Sequence, residues 1–375
     1  MVVVAVVVVV AVLMARAAQA QRQLEAAQAE YASAAQGFRE AFDEAQSVAR
    51  TYQSVSGTAA DAAVDADYLV TQAEDGLVGV AEKAALSAAG QREYSVLTQL
   101  EGLGPVDEGI DGAELLEGVP DDTELLLSRA AALVEATGTL EARTREHADG
   151  TQQLQDATRG VVVAGQALLA SLPAAADQMT AANGSATNEA RFALADTLDR
   201  IPLDGWDAFT AQMVVTDYVA AVHALQESQA AEEAQKAGDL YDERVAVEAF
   251  ARSIAGGVPL DFDWAPVVNG YGAEPGSYGG TAYWHTGRGG YATIALSDGI
   301  AADWGHPSPL AVVVHEVGHS IGARCSDLQA QLVGEDYEAW ATAWTIGMGY
   351  TADGNGESLY GRPSDEIIAG TTPCR

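Results

Sequence analysis

An apolar heptad repeat near the start of the chain most constrains how this sequence can fold. Apolar residues recur every seven positions on two lines: Leu24, Tyr31, Phe38, Ala45 and Tyr52 on the first, and Ala27, Ala34, Ala41, Val48 and Val55 three residues later on the second. The two lines form one stripe along a helix, and such a stripe has to be buried against another helix. The pattern predicts a long helix that stops at Gly57 and pairs either within the chain, as a hairpin, or with a second copy.

The composition of the chain changes sharply near residue 257. Five of six Trp, seven of 13 Tyr, four of six His and seven of 11 Pro follow this point. The preceding part is rich in Ala, Gln and Glu, which favour helices, and Gly256, Gly257 and Pro259 punctuate the boundary. We therefore predict a mainly α chain with two parts after its N-terminal segment. The first is a helical, coiled-coil region over 21–256, an elongated bundle or coiled-coil hairpins, and the second is a small α+β domain over 257–375.

Within the helical region, proline and glycine indicate where helices end. One helix is predicted from about Asp122 to Leu172, because Pro173 lacks the N–H that would continue the hydrogen bonding. Another is predicted from about Asp204 to Ile254. No cluster of catalytic residue types occurs here, and the isolated His147 and His223 are interpreted as surface or packing residues.

The first 20 residues form a segment of their own. Val2 to Met14 is an uninterrupted apolar run, and Ala18-Gln19-Ala20 has the small-x-small pattern of a cleavage site. The run is shorter than the roughly 20 residues that cross a bilayer, and it matches the apolar part of a signal peptide. Residues 1–20 are predicted to be a signal peptide or a membrane anchor, with a buried Val-rich strand as the alternative. The protein is then extracytoplasmic, either held in the cell membrane by a single pass or secreted.

The two cysteines fit an oxidising compartment. Cys325 and Cys374 are the only cysteines of the chain, and Cys374 is the penultimate residue. An isolated pair in an exported protein usually forms a disulfide. We expect this bond to hold the C-terminus against the last domain; the alternative is two free buried thiols in a cytosolic protein.

The charge of the chain limits its partners. The formal net charge is −35, from 19 Lys and Arg against 54 Asp and Glu. Because binding to phosphates requires a basic surface, nucleic acid is excluded as an expected partner. The same charge repels anionic lipid headgroups, so contact with a membrane is expected only through the N-terminal segment.

One short motif carries recognisable chemistry. His315-Glu316-Val317-Gly318-His319 has the form H-E-x-x-H and follows the apolar run Leu310 to Val314, which places it on a buried helix that begins near Ser308-Pro309. Residues four apart share a helix face, so both imidazoles can bind one Zn²⁺. Glu316 then points beside the metal and can act as general base and acid.

The motif and its setting resemble the zincin metallopeptidases, over roughly residues 260–375 only. Tyr291 to Leu296 alternates with period two, ends at Asp298-Gly299, and precedes the motif helix by about a dozen residues. In zincins an edge strand in a similar position pairs with an extended peptide substrate, a mode of recognition that depends on backbone groups. The resemblance implies a zinc-dependent peptidase with Tyr291 to Leu296 as the edge strand.

The resemblance requires a third protein ligand, for which the sequence offers four candidates. Metzincins continue the motif with a His or Asp where this chain has Cys325; Asp327 follows two residues later. Gluzincins instead supply a Glu from a following helix, and Glu338, 19 residues after His319, lies in such a helical pattern, with Glu335 on the same face. The match to the gluzincins is the better one and implies the ligand set His315, His319 and Glu338.

The sequence departs from the gluzincin pattern at Thr342. Many gluzincins have an Asp at this position, four residues after the ligand Glu, that orients a metal-bound His, so another group has to do so here. Five side chains could stabilise an oxyanion: Tyr350, Tyr360, His306, His285 and Arg362. The glycine-rich stretch from Asn269 to Gly290 is interpreted as a mobile surface loop near the cleft.

These observations predict an exported or membrane-anchored zinc metallopeptidase that hydrolyses a peptide or protein substrate. Two other functions remain open. One is a non-catalytic helical surface or interaction protein with a zincin-like domain, which self-associates through its heptad stripe. The other is a zinc hydrolase that acts on amide bonds of the cell wall.

Overall fold

The computed structural model describes residues 2–106, 114–202 and 205–375. As predicted, the chain is mainly helical, with 73% helix and 6% strand, a long apolar N-terminal helix and a small sheet near the C-terminal end. The helices are α1 Val2–Gln72, α2 Val80–Gln99, α3 Thr123–Ala182, α4 Asn188–Leu198, α5 Ala208–Lys236, α6 Tyr241–Ile254, α7 Asp298–Ala302, α8 Pro307–Arg324, α9 Ser326–Val333, α10 Tyr337–Gly347, α11 Glu357–Tyr360 and α12 Asp365–Gly370. The strands are β1 Leu260–Ala265, β2 Gly280–His285 and β3 Tyr291–Ser297.

The chain forms two compact units. The first contains residues 1–72, 80–169 and 205–212, and the second contains residues 73–79, 170–204 and 213–375. The second unit therefore includes the sheet and helices α7 to α12 together with α4, α6 and most of α5, which lie before Gly257 in the sequence.

In the first unit, the heptad stripe of α1 is buried against α3 of the same chain. Tyr31, Phe38 and Ala45 of the stripe belong to one apolar cluster with Leu126 and Leu133 of α3. Helix α3 carries a heptad of its own, which the sequence analysis missed because a histidine interrupts it; its buried members are Leu126, Leu133, Leu140, His147, Leu154, Val161 and Leu168. The stripe is thus covered within the chain, as in a helical hairpin.

Two predicted helix ends, at Gly57 and at Pro173, were wrong. Helix α1 continues through Gly57, with Ala59 and Ala66 still buried at heptad positions, because one glycine costs only about 1 kcal/mol relative to alanine. Helix α3 continues through Pro173 to Ala182, with Leu172 and Ala176 buried on either side of the proline, so packing offsets the lost hydrogen bond.

The helix predicted from about Asp204 to Ile254 is two helices, α5 and α6. Residues 237–240 separate them, and Gly238 has a φ of 121°, which no continuous right-handed helix accommodates. The predicted start at Asp204 lies outside the described residues.

The N-terminal apolar run is helical and exposed, which excludes the buried strand. Within the described residues, α1 and α3 are long and apolar enough to cross a membrane. The most apolar segment of α1 has a mean hydropathy of 2.3 and is 0% buried. The corresponding segment of α3 has a mean hydropathy of 1.4 and is 39% buried. The core helix of a soluble protein and a signal sequence both meet the same criterion, so length and composition are weak evidence. The start of α1 is compatible with a signal peptide or a membrane anchor.

In the second unit, a three-stranded sheet in the order β1-β3-β2 lies against the motif helix α8. Strand β1 is parallel to β3, and β2 is antiparallel to β3. Ile294 and Leu296 of β3 share one buried cluster with Val313 and Val317 of α8. Strand β3 is paired with β1 on one side and with β2 on the other, so it is the central strand, and the prediction that it is an edge strand was wrong.

The edge strand beside α8 is β2. It occupies residues 280–285, inside the glycine-rich stretch that was interpreted as a loop. The expected disulfide is present: Cys325, which caps the end of α8, is bonded to Cys374.

Candidate metal centre

Helix α8 presents the motif residues toward the interior of the second unit. The helix begins at Pro307, one residue before the predicted start, and the His306 side chain accepts a hydrogen bond from the Ser308 N–H at its N-terminus. The apolar run before the motif is buried, which fixes the face that α8 turns to the sheet. His315, Glu316 and His319 are consequently only 5–6% exposed.

The structure brings His315, His319 and Glu338 together. Their ligand atoms all lie within 4.8 Å of one another, and among the described residues this is the group of His, Cys, Asp and Glu that could hold a metal ion. The Glu338 Oε2 atom lies 3.0 Å from His315 Nε2 and 3.4 Å from His319 Nε2. Donor atoms bound tetrahedrally to zinc at about 2.0–2.1 Å are about 3.3 Å apart. The donor set and the two measured spacings therefore fit a zinc ion.

Glu338 reaches this position because α10 packs closely on α8. The Asp336 side chain caps α10 by accepting the Ala339 N–H. At Gly318, within the motif, a Cβ atom would lie 3.1 Å from the Ala341 backbone, so the absence of a side chain lets the two helices approach. Glu338 is thereby held in the first turn of α10, facing both imidazoles.

The other three candidate ligands lie elsewhere. Cys325 is consumed by the disulfide. Asp327 and Glu335 are exposed and do not belong to the His315–His319–Glu338 group. Of the four carboxylate and thiol groups that the sequence offered, the structure places Glu338 beside the two histidines.

The ring of His315 is oriented by a backbone carbonyl. Its Nδ1 lies 3.1 Å from the Asn355 carbonyl oxygen. Because a carbonyl only accepts, Nδ1 donates this hydrogen bond, which leaves Nε2 as the ring nitrogen that faces Glu338. Gly356 makes room for this contact, since a Cβ there would lie 2.6 Å from His315 Cε1 and 2.3 Å from Thr342 Oγ1. Thr342 itself is buried, and its hydroxyl has no hydrogen-bond partner among the residues that the structure describes.

Glu316 is held against the edge strand. A Cβ at Gly280 of β2 would lie 2.8 Å from its Cγ and Oε1, and the backbone of Ala282 on the same strand stabilises its ionised form. Burial raises the pKa of Glu316, and nearby Glu338 acts in the same direction, while His315 and His319 oppose them. A raised pKa makes the ionised carboxylate a stronger base, which suits a group that takes up and releases a proton.

Glu338 and His315 shift each other's pKa values. Burial would raise the pKa of Glu338, but hydrogen bonds from His315 and His319 outweigh it and lower that pKa to about 2. Burial likewise opposes protonation of His315, yet the hydrogen bond to Glu338 and the charges of Glu316 and Glu338 leave its pKa raised. The carboxylates thus create a negative potential at the imidazoles that favours a bound cation.

A cleft of about 550 Å³ opens on the three groups. It is lined by residues 276–282 and Trp284 in and before β2, by residues of α8 from Ser308 to His319, and by residues between 353 and 360. Of the five proposed oxyanion donors, Tyr360 lines the cleft; its ring is parallel to that of His315, with centroids 6.0 Å apart, and its hydroxyl contacts Glu338. The other four are not among the residues that line the cleft.

Sequence reasoning missed the groups that orient the centre. Three residues in contact with the centre lie on β2, namely Gly280, Ala282 and Trp284, and the Asn355 carbonyl lies in a turn after α10. Residues 280–285 form a short segment surrounded by glycines, so the sequence did not indicate a strand there. A contact made by a backbone carbonyl does not depend on the residue type, so the sequence could not indicate it.

Comparisons of the chain with protein-family models, with curated proteins and with solved structures found no match.

Proposed function

We propose that this protein is an extracytoplasmic zinc metallopeptidase of the zincin type, most similar to the gluzincins. The observation that carries the proposal is the convergence of His315, His319 and Glu338 at spacings suited to zinc, with a buried Glu316 beside them. Glu338 lies 19 residues after the motif and on another helix. A chance pair of histidines would not require a distant carboxylate to meet both rings.

His315, His319 and Glu338 would hold the metal, and zinc bound there supplies Lewis-acid activation of water and of a carbonyl. Glu316 takes a proton from the attacking water and passes it to the leaving amine, so it ends the cycle as it began. Tyr360 donates its hydroxyl proton in a hydrogen bond to the oxygen that becomes negative as the carbonyl is attacked.

The cleft has a surface suited to an extended peptide. Strand β2 is hydrogen-bonded to β3 on one side and is the last strand of the sheet on the other. Backbone groups on such an edge bind a peptide by strand addition without selecting its sequence. This supports a peptide bond, rather than an isolated small amide, as the group that is cleaved.

The test is Glu316→Gln, assayed on casein and on fluorogenic peptides with and without a chelator. We expect the variant to bind one zinc per chain and to lose at least a hundredfold in kcat/KM, because the amide cannot transfer the proton. Glu335→Gln, an exposed carboxylate near the N-terminus of α10, is the matched control and should behave as wild type. Full activity of Glu316→Gln would refute the proposal. Digestion of purified cell wall in parallel, without cleavage of casein, would instead favour the cell-wall amidase.

A further inference from the structure

The two histidines of the centre are held in different ways. The Nδ1–H of His315 donates to a backbone carbonyl, whereas Nδ1 of His319 is buried and has no hydrogen-bond partner in the described structure. A histidine that binds a metal usually donates its second ring nitrogen to a partner, which sets the orientation of the ring. Another contact therefore has to set the orientation of His319.

Trp284 of β2 makes that contact. Its indole is parallel to the His319 imidazole, with an interplanar angle of 6° and ring centroids 5.0 Å apart. The same indole meets the Tyr337 ring at 5.3 Å and 56°, and Tyr337 directly precedes Glu338 in the first turn of α10. One side chain thus contacts a ligand on α8 and the neighbour of a ligand on α10.

We propose that Trp284 is a positioning residue for the metal centre, on which the His319 ring stacks in place of a hydrogen bond. Stacking fixes the ring plane and so directs Nε2 toward Glu338. An imidazole bound to a cation is electron-poor, so its attraction to the electron-rich indole face increases when metal binds. This role rests on the proposed zinc site. It implies that Trp284 contributes to the affinity of that site for zinc.

The position of Trp284 makes the role separable from folding. Its side chain is half-buried, lines the cleft and packs at the margin of the core rather than within it. Trp304 is a matched control, since it is also a half-buried tryptophan packed against the same core. It meets Phe250 edge-on, does not line the cleft and contacts no metal ligand in the described structure.

The experiment measures zinc affinity by chelator competition for the wild type, Trp284→Leu, Trp284→Phe and Trp304→Leu, with circular dichroism as a check of folding. We expect Trp284→Leu to bind zinc about 10–100-fold more weakly, as for the loss of other groups that orient metal ligands. Trp284→Phe should recover most of the affinity, because it restores an aromatic face. Trp304→Leu should stay within about twofold of wild type.

A second measurement distinguishes orientation from general loosening. With Co²⁺ in place of zinc, the visible absorption bands should change in Trp284→Leu and stay unchanged in Trp304→Leu, since only the former alters ligand geometry. Wild-type zinc affinity and an unchanged Co²⁺ spectrum in Trp284→Leu would overturn the positioning role alone, with the zinc site intact. A wild-type protein that binds no zinc would overturn the metal centre and this role together.

Discussion

Two glycines shape the metal centre through the side chains that they lack. A Cβ at Gly280 would collide with the Glu316 carboxylate, and a Cβ at Gly356 would collide with the His315 ring and the Thr342 hydroxyl. Gly356 also has a φ of 92°, which disfavours any other residue. The positions of Glu316 and His315 therefore depend on a close approach of the backbone that only glycine allows.

Gly280→Ala should remove activity while leaving the metal in place. The added methyl group displaces Glu316, which is not a ligand, so we expect kcat to fall at least tenfold, as for other small displacements of catalytic groups, with unchanged zinc stoichiometry. Gly287→Ala is the control, because a Cβ there meets no atom within 4 Å and its φ is not positive. Equal kcat values for Gly280→Ala and wild type would show that Glu316 does not need this contact.

At the scale of residues, the sequence predicted groups that are close in the chain better than contacts between distant segments. His315, Glu316 and His319 follow from a separation of four residues on one helix, and Glu338 follows from a helical pattern nearby. The Asn355 carbonyl and Trp284 could not be predicted, because their role depends on which strands and turns meet α8 in space. Thr342 led to the expectation that an orienting group comes from elsewhere, but it did not indicate that the Asn355 carbonyl contacts His315.

At the scale of elements, periodicity predicted helices well and strand order poorly. The heptads of α1 reflect contacts repeated along one helix, so the sequence carries them many times. The place of β2 at the sheet edge depends on a single register, in which Gly280 faces Leu296 and His285 faces Tyr291. The helix ends predicted at Pro173 and Gly57 were wrong because each is a single unfavourable residue within a helix whose buried positions continue on both sides.

The disulfide connects the elements that carry the ligands. Cys325 ends α8, and the Trp344 indole of α10 donates to the Cys374 carbonyl at 3.0 Å. The bond closes a loop of 49 residues, which corresponds to about 3–4 kcal/mol of stabilisation when chain entropy dominates. The double variant Cys325→Ala/Cys374→Ala should lose that much in free energy of unfolding by urea, followed through tryptophan fluorescence. Reductant should bring the wild type to the same value and leave the variant unchanged; a variant as stable as the oxidised wild type would contradict this.

For the whole molecule, charge and the N-terminal segment set the context of the site. The exposed apolar start of α1 is compatible with export, and the disulfide agrees with an oxidising compartment. The chain has a net charge of −35. The described lining of the cleft contains Glu316, Glu338 and Asp353 but no Lys or Arg. Such a field attracts cationic substrates and repels anionic ones.

Peptides of one core sequence flanked by Lys or by Glu should therefore differ in kcat/KM. At low ionic strength we expect the Lys-flanked peptide to be cleaved at least tenfold faster, because electrostatic steering raises its association rate. The ratio should fall toward one at about 1 M salt, where the Debye length is about 3 Å. A ratio that does not depend on salt would show that the overall charge has no part in substrate selection.

X-ray absorption at the zinc edge of the zinc-loaded protein tests the account most directly. We predict one zinc per chain with two imidazole nitrogens and a carboxylate oxygen in its first shell at about 2.0–2.2 Å, and loss of the metal in His319→Ala. A sulfur ligand at about 2.3 Å, or zinc retained without His319, would contradict the assignment of His315, His319 and Glu338 as its ligands.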